Sequence, residues 1–277
     1  MEYGINISFI AKEIGMKKAA EIVAKAGFTQ LDYTPSLQKN NWVESMKEDI
    51  KIFEGNGLTV HQTHGPFNRY KTYDNDLFFE CVERCAAATE FLGAKYMVVH
   101  ADEFDIENRA FTDEAAKEYN YNLYKPYVER AEKNGYKIAF ETVFEDGWGK
   151  CRRYTSDIAE LEDMIKSFNS SAAVCCWDFG HSNVSFNNKA AENIERLGSL
   201  IECTHLHDNA GNDSHQMPMT GDINWKETMK AFHNIDYKGI LCVEYAHGNM
   251  PEELIGDFTK LTFETAKYLW NLNCIGE

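Results

Sequence analysis

Residues 172–207, AAVCCWDFGHSNVSFNNKAAENIERLGSLIECTHLH, contain two apolar runs of strand character separated by one helical stretch. The runs 172–179 and 201–207 are short and rich in β-branched, aromatic and cysteine residues, which is typical of buried strands. Residues 188–198 between them place apolar side chains three and four positions apart, which predicts an amphipathic helix. A strand, a helix and a second strand in this order predict two parallel strands joined by a right-handed crossover.

The same alternation continues along the whole chain of 277 residues. The other predicted strands, each short and apolar, are YGINISF (3–9), TQLDYT (29–34), LTVHQTH (58–64), YMVVHA (96–101), KIAFETV (137–143) and ILCVEY (240–245). The other predicted helices cover residues 16–26, 42–55, 76–92, 113–133, 156–168, 224–234 and 251–272. Eight strand–helix units in succession predict an α/β fold, a single (β/α)8 TIM barrel that forms one domain over residues 1–277. An open doubly wound sheet is the alternative, but no GxGxxG motif follows the first strand.

The composition excludes several classes of partner. The chain has 44 Asp and Glu against 28 Lys and Arg, which gives a net charge of −16. This charge argues against binding to nucleic acid and to an anionic membrane surface. No apolar run approaches the roughly 20 residues that a membrane span requires, and no signal peptide is evident at the N-terminus. The eight cysteines form no CxxC pair, so we expect reduced thiols in a cytoplasmic protein.

Metal-ligating residue types stand at the ends of the predicted strands, where the active site of such a barrel lies. Taken alone, each of these residues is more often an ordinary hydrogen-bonded group. Together, however, their carboxylates would repel one another without a cation, and imidazole with carboxylate suits Zn, Mn, Fe or Co. The candidates are His64, His100, Glu141, Asp178, His181, His205, His207 and Glu244, with Asp213 and His215 in the loop after the seventh strand.

The succession HGPF, VVH, FET, DFGHSN, HLHDNAGNDSH and VEY resembles the xylose isomerase-like TIM-barrel superfamily over essentially the whole barrel. That superfamily includes sugar and sugar-phosphate isomerases and epimerases as well as endonuclease IV-type DNA-repair enzymes. The resemblance implies one divalent ion, Mn or Zn with Co or Fe as further choices. Its ligands would be Glu141, Asp178, His205 and Glu244. His205 is preferred to His207 because the ligand of the superfamily stands three residues before the acid at the strand end, here Asp208.

The sequence also resembles the accessory metal site of the repair endonucleases. By this resemblance, up to two further ions would be held, for three in all, with Glu141 bridging two of them. HGPF and DxH also occur in members of the superfamily that act on sugars, where they contact substrate instead. The additional ligands implied are His64, His100, His181, Asp213 and His215.

These residues predict a metal-dependent isomerase or epimerase that acts on a sugar or sugar phosphate. Glu141 and Glu244 are the expected acid/base pair, and His181 is expected to hydrogen-bond a substrate oxygen. His207, or Lys and Arg residues of the loops, are candidates for contacting the far end of the substrate. Phe67 and Trp148, the latter in the loop Gly147–Gly149, are candidates for an apolar wall against the sugar, whereas Trp177 is expected in the core.

Three alternatives stay open on the sequence alone. The first is a multinuclear-metal phosphoesterase or endonuclease IV-like hydrolase, although the acidic charge opposes DNA as its substrate. The second is a metal-dependent lyase that acts on a sugar. The third is a sugar-binding barrel without activity, which we rank last because Glu141 and Glu244 are both present. A homo-oligomer is compatible with each of these functions.

Overall fold

Eight parallel strands form the barrel in the computed structural model, which describes residues 1–67, 75–101, 112–145, 153–186 and 189–272. The strands are β1 (Tyr3–Asn6), β2 (Gln30–Asp32), β3 (Thr59–His64), β4 (Tyr96–Val99), β5 (Lys137–Glu141), β6 (Ala173–Asp178), β7 (Ile201–His205) and β8 (Leu241–Val243). The strands from β1 to β7 each pair with the next in the chain, and β8 pairs with β1. Leu206 joins β7 to β8, because its N–H donates to Cys242 and its carbonyl accepts from Glu244. The predicted (β/α)8 TIM barrel is therefore confirmed.

Ten helices surround the strands in the described parts of the chain. They are α1 (Ser8–Ile14), α2 (Met16–Ala26), α3 (Trp42–Gly55), α4 (Asn75–Leu92), α5 (Asp113–Asn134), α6 (Ile158–Ser167), α7 (Phe179–Phe186), α8 (Ala190–Leu197), α9 (Trp225–Asn234) and α10 (Glu252–Trp270). Eight of them agree with the predicted helices to within about two residues. Within the described ranges, none of the helices combines the length and the apolar character that a membrane span requires.

The helices α1 and α7 were not predicted, and both begin immediately after a strand. The predicted first strand, 3–9, ends at Asn6, whose side-chain oxygen accepts a hydrogen bond from the Ser8 N–H (3.0 Å). Asp178 acts similarly after β6, where its carboxylate accepts from the His181 N–H (2.6 Å). A short polar side chain that binds the backbone two or three residues ahead favours the start of a helix.

The two ends of the barrel interior differ in polarity. A cluster of buried side chains fills the barrel away from the carboxyl ends of the strands, and it consists of Tyr96, Val98, Ala139, Val174, Cys176 and Cys203. A larger apolar core lies between the strands and the helices and includes Trp177, as expected. Both cores are apolar. The polar residues of the interior lie instead at the carboxyl ends of the strands, which is where the candidate site is found.

His61 is an extra residue in β3, because Val60 and Gln62 pair with Leu31 and Asp32 of β2 and leave His61 between them. Its side chain is buried, and its Nε2 has no hydrogen-bond partner in the described parts of the chain. Burial, helped by the charge of Lys95, lowers the pKa of His61 to about 4. The folded protein therefore favours the neutral imidazole.

Replacing His61 by Leu is expected to make the protein less sensitive to acid. The unfolded chain binds a proton at His61 below a pH of about 6.5, whereas the folded chain resists it down to a pH of about 4. Stability from this residue is thus present above pH 6.5 and lost as the pH falls. Between pH 7.5 and 5.0 the wild type should lose about 2 kcal/mol more free energy of unfolding than His61→Leu. Urea titrations at both pH values measure the difference, and equal losses would contradict it.

Candidate metal and catalytic site

Four buried residues meet at the carboxyl ends of adjacent strands, and we call them the central group: Glu141, Asp178, His205 and Glu244. The first three are the last residues of β5, β6 and β7, and Glu244 follows β8. One ligand atom from each residue lies within 4.8 Å of the others. The Nδ1 atom of His205 is 3.1 Å from Glu141 Oε1, 3.4 Å from Glu244 Oε2 and 3.9 Å from Asp178 Oδ2. The structure thus brings together the four residues of the predicted principal site.

Two residues that were not predicted orient His205. The Nε2 atom of His205 lies 2.8 Å from Oδ2 of Asp32, the last residue of β2. The side-chain amide of Gln62 donates to the same oxygen of Asp32 (3.2 Å). With Nε2 held in this way, Nδ1 faces the central group, as the ligating nitrogen of a metal-bound histidine does. Asp32 ends the observed strand β2 but lies two residues inside the predicted strand 29–34, and for this reason it was not among the candidates.

Asn6, at the end of β1, orients Glu244. Its Nδ2 donates to Glu244 Oε1 (2.9 Å), which leaves Oε2 facing His205. The same Asn6 side chain accepts from the Ser8 N–H, so the start of α1 fixes the amide. Asn6 is uncharged and is not a typical metal ligand. It was therefore not among the acidic and histidine residues predicted for the site.

Two histidines bind the other oxygen of Glu141, and we call His64 and His100 the histidine pair. The Nε2 atoms of both residues lie 3.0 Å from Glu141 Oε2. The Nδ1 atom of His64 donates to the carbonyl of Gly65 (2.8 Å), which directs Nε2 toward the carboxylate. These three residues form a second group of potential metal ligands. Glu141 therefore contacts the central group with one oxygen and the histidine pair with the other.

A third group of potential ligands, which we call the outer group, comprises His181, His207, Asp213 and His215. Asp213 Oδ1 lies 3.2 Å from His215 Nε2 and 3.6 Å from His181 Nε2. His207 is fully buried, stacks on His215 and lies 3.0 Å from Asp178 Oδ1. It is therefore placed beside the central group rather than at the far end of a substrate.

Asp208 holds the loop that carries Asp213 and His215. Its Oδ2 accepts hydrogen bonds from Trp225 Nε1 and from the Met219 N–H, both at 2.9 Å. The same carboxylate also accepts from the Asn209 N–H (2.9 Å). Because both ends of the loop bind one buried carboxylate, the backbone that carries Asp213 and His215 is fixed.

Opposite charges compensate one another within the three groups. Burial alone would lower the pKa of His205, but the carboxylates of Glu244 and Glu141 raise it well above its ordinary value. Despite burial, the pKa of His215 is raised to about 9, mainly by its hydrogen bond to Asp213. Burial would raise the pKa of Glu141, yet His205 and His100 hold it well below its usual range. A divalent cation would supply the same compensation, and its binding would release protons from the histidines.

The central group fits a divalent metal ion by its chemistry. It offers three carboxylates and one imidazole, a donor set that suits Zn, Mn, Fe or Co rather than Ca or Mg. The ligating atoms are buried, and Asp32 and Asn6 hold two of the four side chains from outside, as the partners of metal ligands commonly do.

A cavity of about 600 Å³ opens beside the central group. Glu244, Asn6 and His64 lie in its lining, together with the aromatic side chains Phe9 and Phe67. Its volume lies within the range of small-molecule sites. Phe67, a candidate for the apolar wall, lines this cavity, whereas Trp148 lies outside the described residues.

Gly180 lies directly against the ring of His207. A methyl group on its α-carbon would overlap the imidazole atoms Cε1, Nδ1 and Nε2, so only glycine fits beside this histidine. Gly180 follows Asp178 at the start of α7, and the same imidazole is hydrogen-bonded to Asp178. Packing against His207 therefore requires glycine at position 180, between the two site residues Asp178 and His181.

Replacing Gly180 by Ala is expected to push His207 away from Asp178. Overpacking of this kind costs about 1–3 kcal/mol of stability, and we expect catalytic turnover to fall at least about 10-fold because the Asp178 carboxylate loses its contact with His207. Gly256, inside α10, is the matched control, because no atom lies within 4 Å of a methyl group placed there. Gly256→Ala should instead raise stability by about 0.5–1 kcal/mol. Thermal unfolding measures the stability of the two variants, and an assay of turnover measures their activity. Equal changes of stability and activity in the two variants would refute the packing role of Gly180.

Comparisons with known proteins agree with the barrel. The family model described as xylose isomerase-like TIM barrel matches residues 20–261. An uncharacterized protein of Sinorhizobium fredii, y4fM, is 22% identical over 252 residues, which are 81% of this chain and 79% of that protein. The crystal structure of a D-tagatose 3-epimerase-like protein has a TM-score of 0.78 and 20% identity, covering 99% of this chain and 100% of that one. The IOLI protein with a binding zinc atom has a TM-score of 0.75 and 16% identity, covering 98% and 99%.

Proposed function

This chain belongs to the xylose isomerase-like TIM-barrel family, and on that premise we propose that it is a divalent-metal-dependent isomerase or epimerase of a sugar or sugar phosphate. The observation that carries the proposal is the central group, in which two buried glutamates face one histidine nitrogen beside a cavity of about 600 Å³. The similarity to a D-tagatose 3-epimerase-like protein and to the IOLI protein with a binding zinc atom supports it.

The central group would hold one divalent ion, Mn or Zn, through Glu141, Asp178, His205 and Glu244. When bound there, the ion supplies positive charge that stabilises the negative charge developing on neighbouring substrate oxygens. Asp32 keeps His205 turned toward this position, and Asn6 does the same for Glu244.

Glu141 and Glu244 would move the proton. They reach the centre from β5 and from the end of β8, which lie on different sides of the barrel. One carboxylate takes a proton from the carbon next to the carbonyl group, and the electron pair of the broken C–H bond gives an enediolate. The other carboxylate returns a proton, to the opposite face of the same carbon in epimerisation. In isomerisation the proton is delivered to the neighbouring carbon instead.

His181 would donate a hydrogen bond to a substrate oxygen. Its Nδ1 atom lies 2.9 Å from the carbonyl of Thr142, which acts as the acceptor and fixes the ring. Nε2 therefore points away from that carbonyl, toward Asp213 at 3.6 Å. A histidine oriented by its second nitrogen is well suited to binding an oxygen that becomes negatively charged.

A second candidate function is a multinuclear-metal phosphoesterase, an endonuclease IV-like hydrolase in the case of a DNA substrate. The observation that favours it is the presence of three ligand groups, two of which share Glu141. The net charge of −16 opposes a DNA substrate. A metal-dependent sugar lyase would use the central group in the same way, because it also begins by removing a proton next to a carbonyl group.

Proton exchange with solvent tests the proposed function. The protein loaded with Mn²⁺ or Zn²⁺ is incubated in D₂O with a panel of aldoses, ketoses and their phosphates, and NMR follows deuterium at the carbon next to the carbonyl group. We expect exchange together with conversion to an epimer or isomer. Release of an eliminated product instead would identify a lyase. If no sugar exchanges while an abasic-site duplex or bis(p-nitrophenyl) phosphate is cleaved, the hydrolase replaces the isomerase.

A further inference from the structure

The cavity beside the central group changes charge from its floor to its rim. Among the described residues that line it, the acids are Asp32 and Glu244, and both are buried. The lysines that line it are Lys12, in the last turn of α1, and Lys39, between β2 and α3. Both lysines are exposed. The negative charges therefore lie at the central group, and the positive charges lie at the opening.

The acids of the floor are engaged with neighbouring side chains, whereas no ion pair holds the lysines of the rim in the described parts of the chain, although the charge of Lys39 acts on Asp49 of α3. Asp32 binds His205 and Gln62, and Glu244 binds Asn6. In the parts of the chain that the structure describes, neither lysine forms an ion pair with a carboxylate. Their ammonium groups are thus available to an anion that enters the cavity.

The backbone that carries the two lysines is held in place. Arg84 of α4 donates from Nη1 to the carbonyls of Leu37 (2.6 Å) and Lys39 (3.3 Å), which fixes this side of the rim. On the other side, Lys12 stands one helical turn after Ser8, on the same face of α1 and about 6 Å further along the axis. Ser8 also lines the cavity and is tied to Asn6. Both lysines therefore line the cavity from backbone that hydrogen bonds hold in place.

We propose that the substrate is an anionic sugar, whose terminal phosphate or carboxylate binds Lys12 and Lys39 while its carbonyl end faces the central group. This rests on the proposed function, because it assigns the opposite end of the same substrate. A neutral sugar would need hydroxyl partners and an apolar wall, which Ser8 and Phe67 provide, but it would gain no charge–charge attraction from two ammonium groups. In a chain with a net charge of −16, an anion is repelled at most of the surface, so local cations decide whether it enters.

The test compares substrates that differ only in the terminal group. For the Mn²⁺-loaded protein we use D-ribulose and D-fructose, their 5- and 6-phosphates, and D-fructuronate. We expect kcat/KM for one anionic series to exceed that for the neutral parents by at least about 10-fold. The phosphates and the uronate separate the two sources of the negative charge. Comparable values for the neutral and anionic sugars would overturn the proposal and leave the isomerase function intact.

Lysine variants locate the binding group. Lys12→Ala and Lys39→Ala should each raise KM for the anionic substrate about 3- to 10-fold, and more together, with kcat and the neutral sugars nearly unchanged. Lys17→Ala, an exposed lysine of α2 that does not line the cavity, is the matched control. The rise in KM for the anionic substrate should be smaller in 0.5 M salt, because exposed charges are screened. Equal effects on neutral and anionic sugars would overturn the assignment.

Calorimetric titration separates this inference from the proposed function. The same sugars and inorganic phosphate are titrated into the wild type and the double lysine variant. Anionic sugars that bind without turnover, and that bind about 10-fold more weakly to the variant, would support the lysine site while the isomerase function fails. Binding that the double variant leaves unchanged would overturn the lysine site whatever the activity.

Discussion

Replacing Glu244 by Gln is expected to lower kcat for the sugar substrate by about 10²–10⁴-fold, the usual contribution of a general acid or base. The amide keeps the size of the side chain, and its oxygen still accepts the hydrogen bond from Asn6. It cannot take up a proton, however. Because Glu244 is also a proposed metal ligand, kcat is measured at saturating Mn²⁺, and the metal content of the variant is determined in parallel.

Glu202→Gln is the matched control for this substitution. Glu202 is also a glutamate of the barrel wall, in β7, but it pairs with Lys137 (2.6 Å) and accepts from Tyr96 away from the central group. Its replacement should cost about 1 kcal/mol of stability or less and leave kcat unchanged. Glu244→Gln with full metal content and wild-type kcat would exclude Glu244 from proton transfer. A loss of activity in Glu202→Gln of the same size would mean that the assay reports only general damage.

Removing the metal is expected to abolish activity and to lower the melting temperature by about 10 °C. A ligand present at about 1,000 times its dissociation constant stabilises a folded protein by about 4 kcal/mol, and each kcal/mol corresponds to about 2–4 °C for a chain of this size. The central group gives the physical reason, since three buried carboxylates then have only protonated histidines to offset their charge. Calorimetry before and after chelation, followed by addition of Mn²⁺ or Zn²⁺, measures both effects.

The variant Asp32→Asn tests whether the orientation of His205 supports metal binding. The substitution removes the carboxylate that orients His205, and loss of such an outer partner typically weakens metal binding 10–100-fold. Asp49→Asn is the control, because Asp49 is hydrogen-bonded to Tyr33 and belongs to none of the three groups. Elemental analysis of the wild type also gives the number of ions: one per chain favours the isomerase, and two or three favour the hydrolase. An unchanged melting temperature and full activity after exhaustive chelation would refute the metal site.

The barrel could be predicted because periodicity is a local signal that repeats eight times along the chain. The residues of the central group were found for a related reason, since the carboxyl ends of parallel strands meet and three of the four residues end a strand. The helices α1 and α7 escaped prediction because single side chains, Asn6 and Asp178, turn the backbone there. A helix start that depends on one side chain leaves no repeating pattern in the sequence.

The partners of the site residues were harder to predict than the site residues themselves. Gln62 and Asn6 are uncharged residues in strands, and their roles depend on side chains 143 and 238 positions away in the sequence. Lys12 and Lys39 are ordinary surface residues until the fold places both at one cavity. These residues come together only when the barrel closes. A pattern within a short stretch of sequence does not contain contacts between such distant positions.

The two oxygens of Glu141 have an evolutionary consequence. One oxygen faces His205 and the other faces the histidine pair, so the two sets of neighbours are joined by a single carboxylate yet carried by different strands. Substitutions at the end of β3 and directly after β4 can therefore remove the histidine pair without changing any residue of the central group. A barrel of this kind can therefore lose or regain the histidine pair through substitutions at two positions while all four residues of the central group are kept.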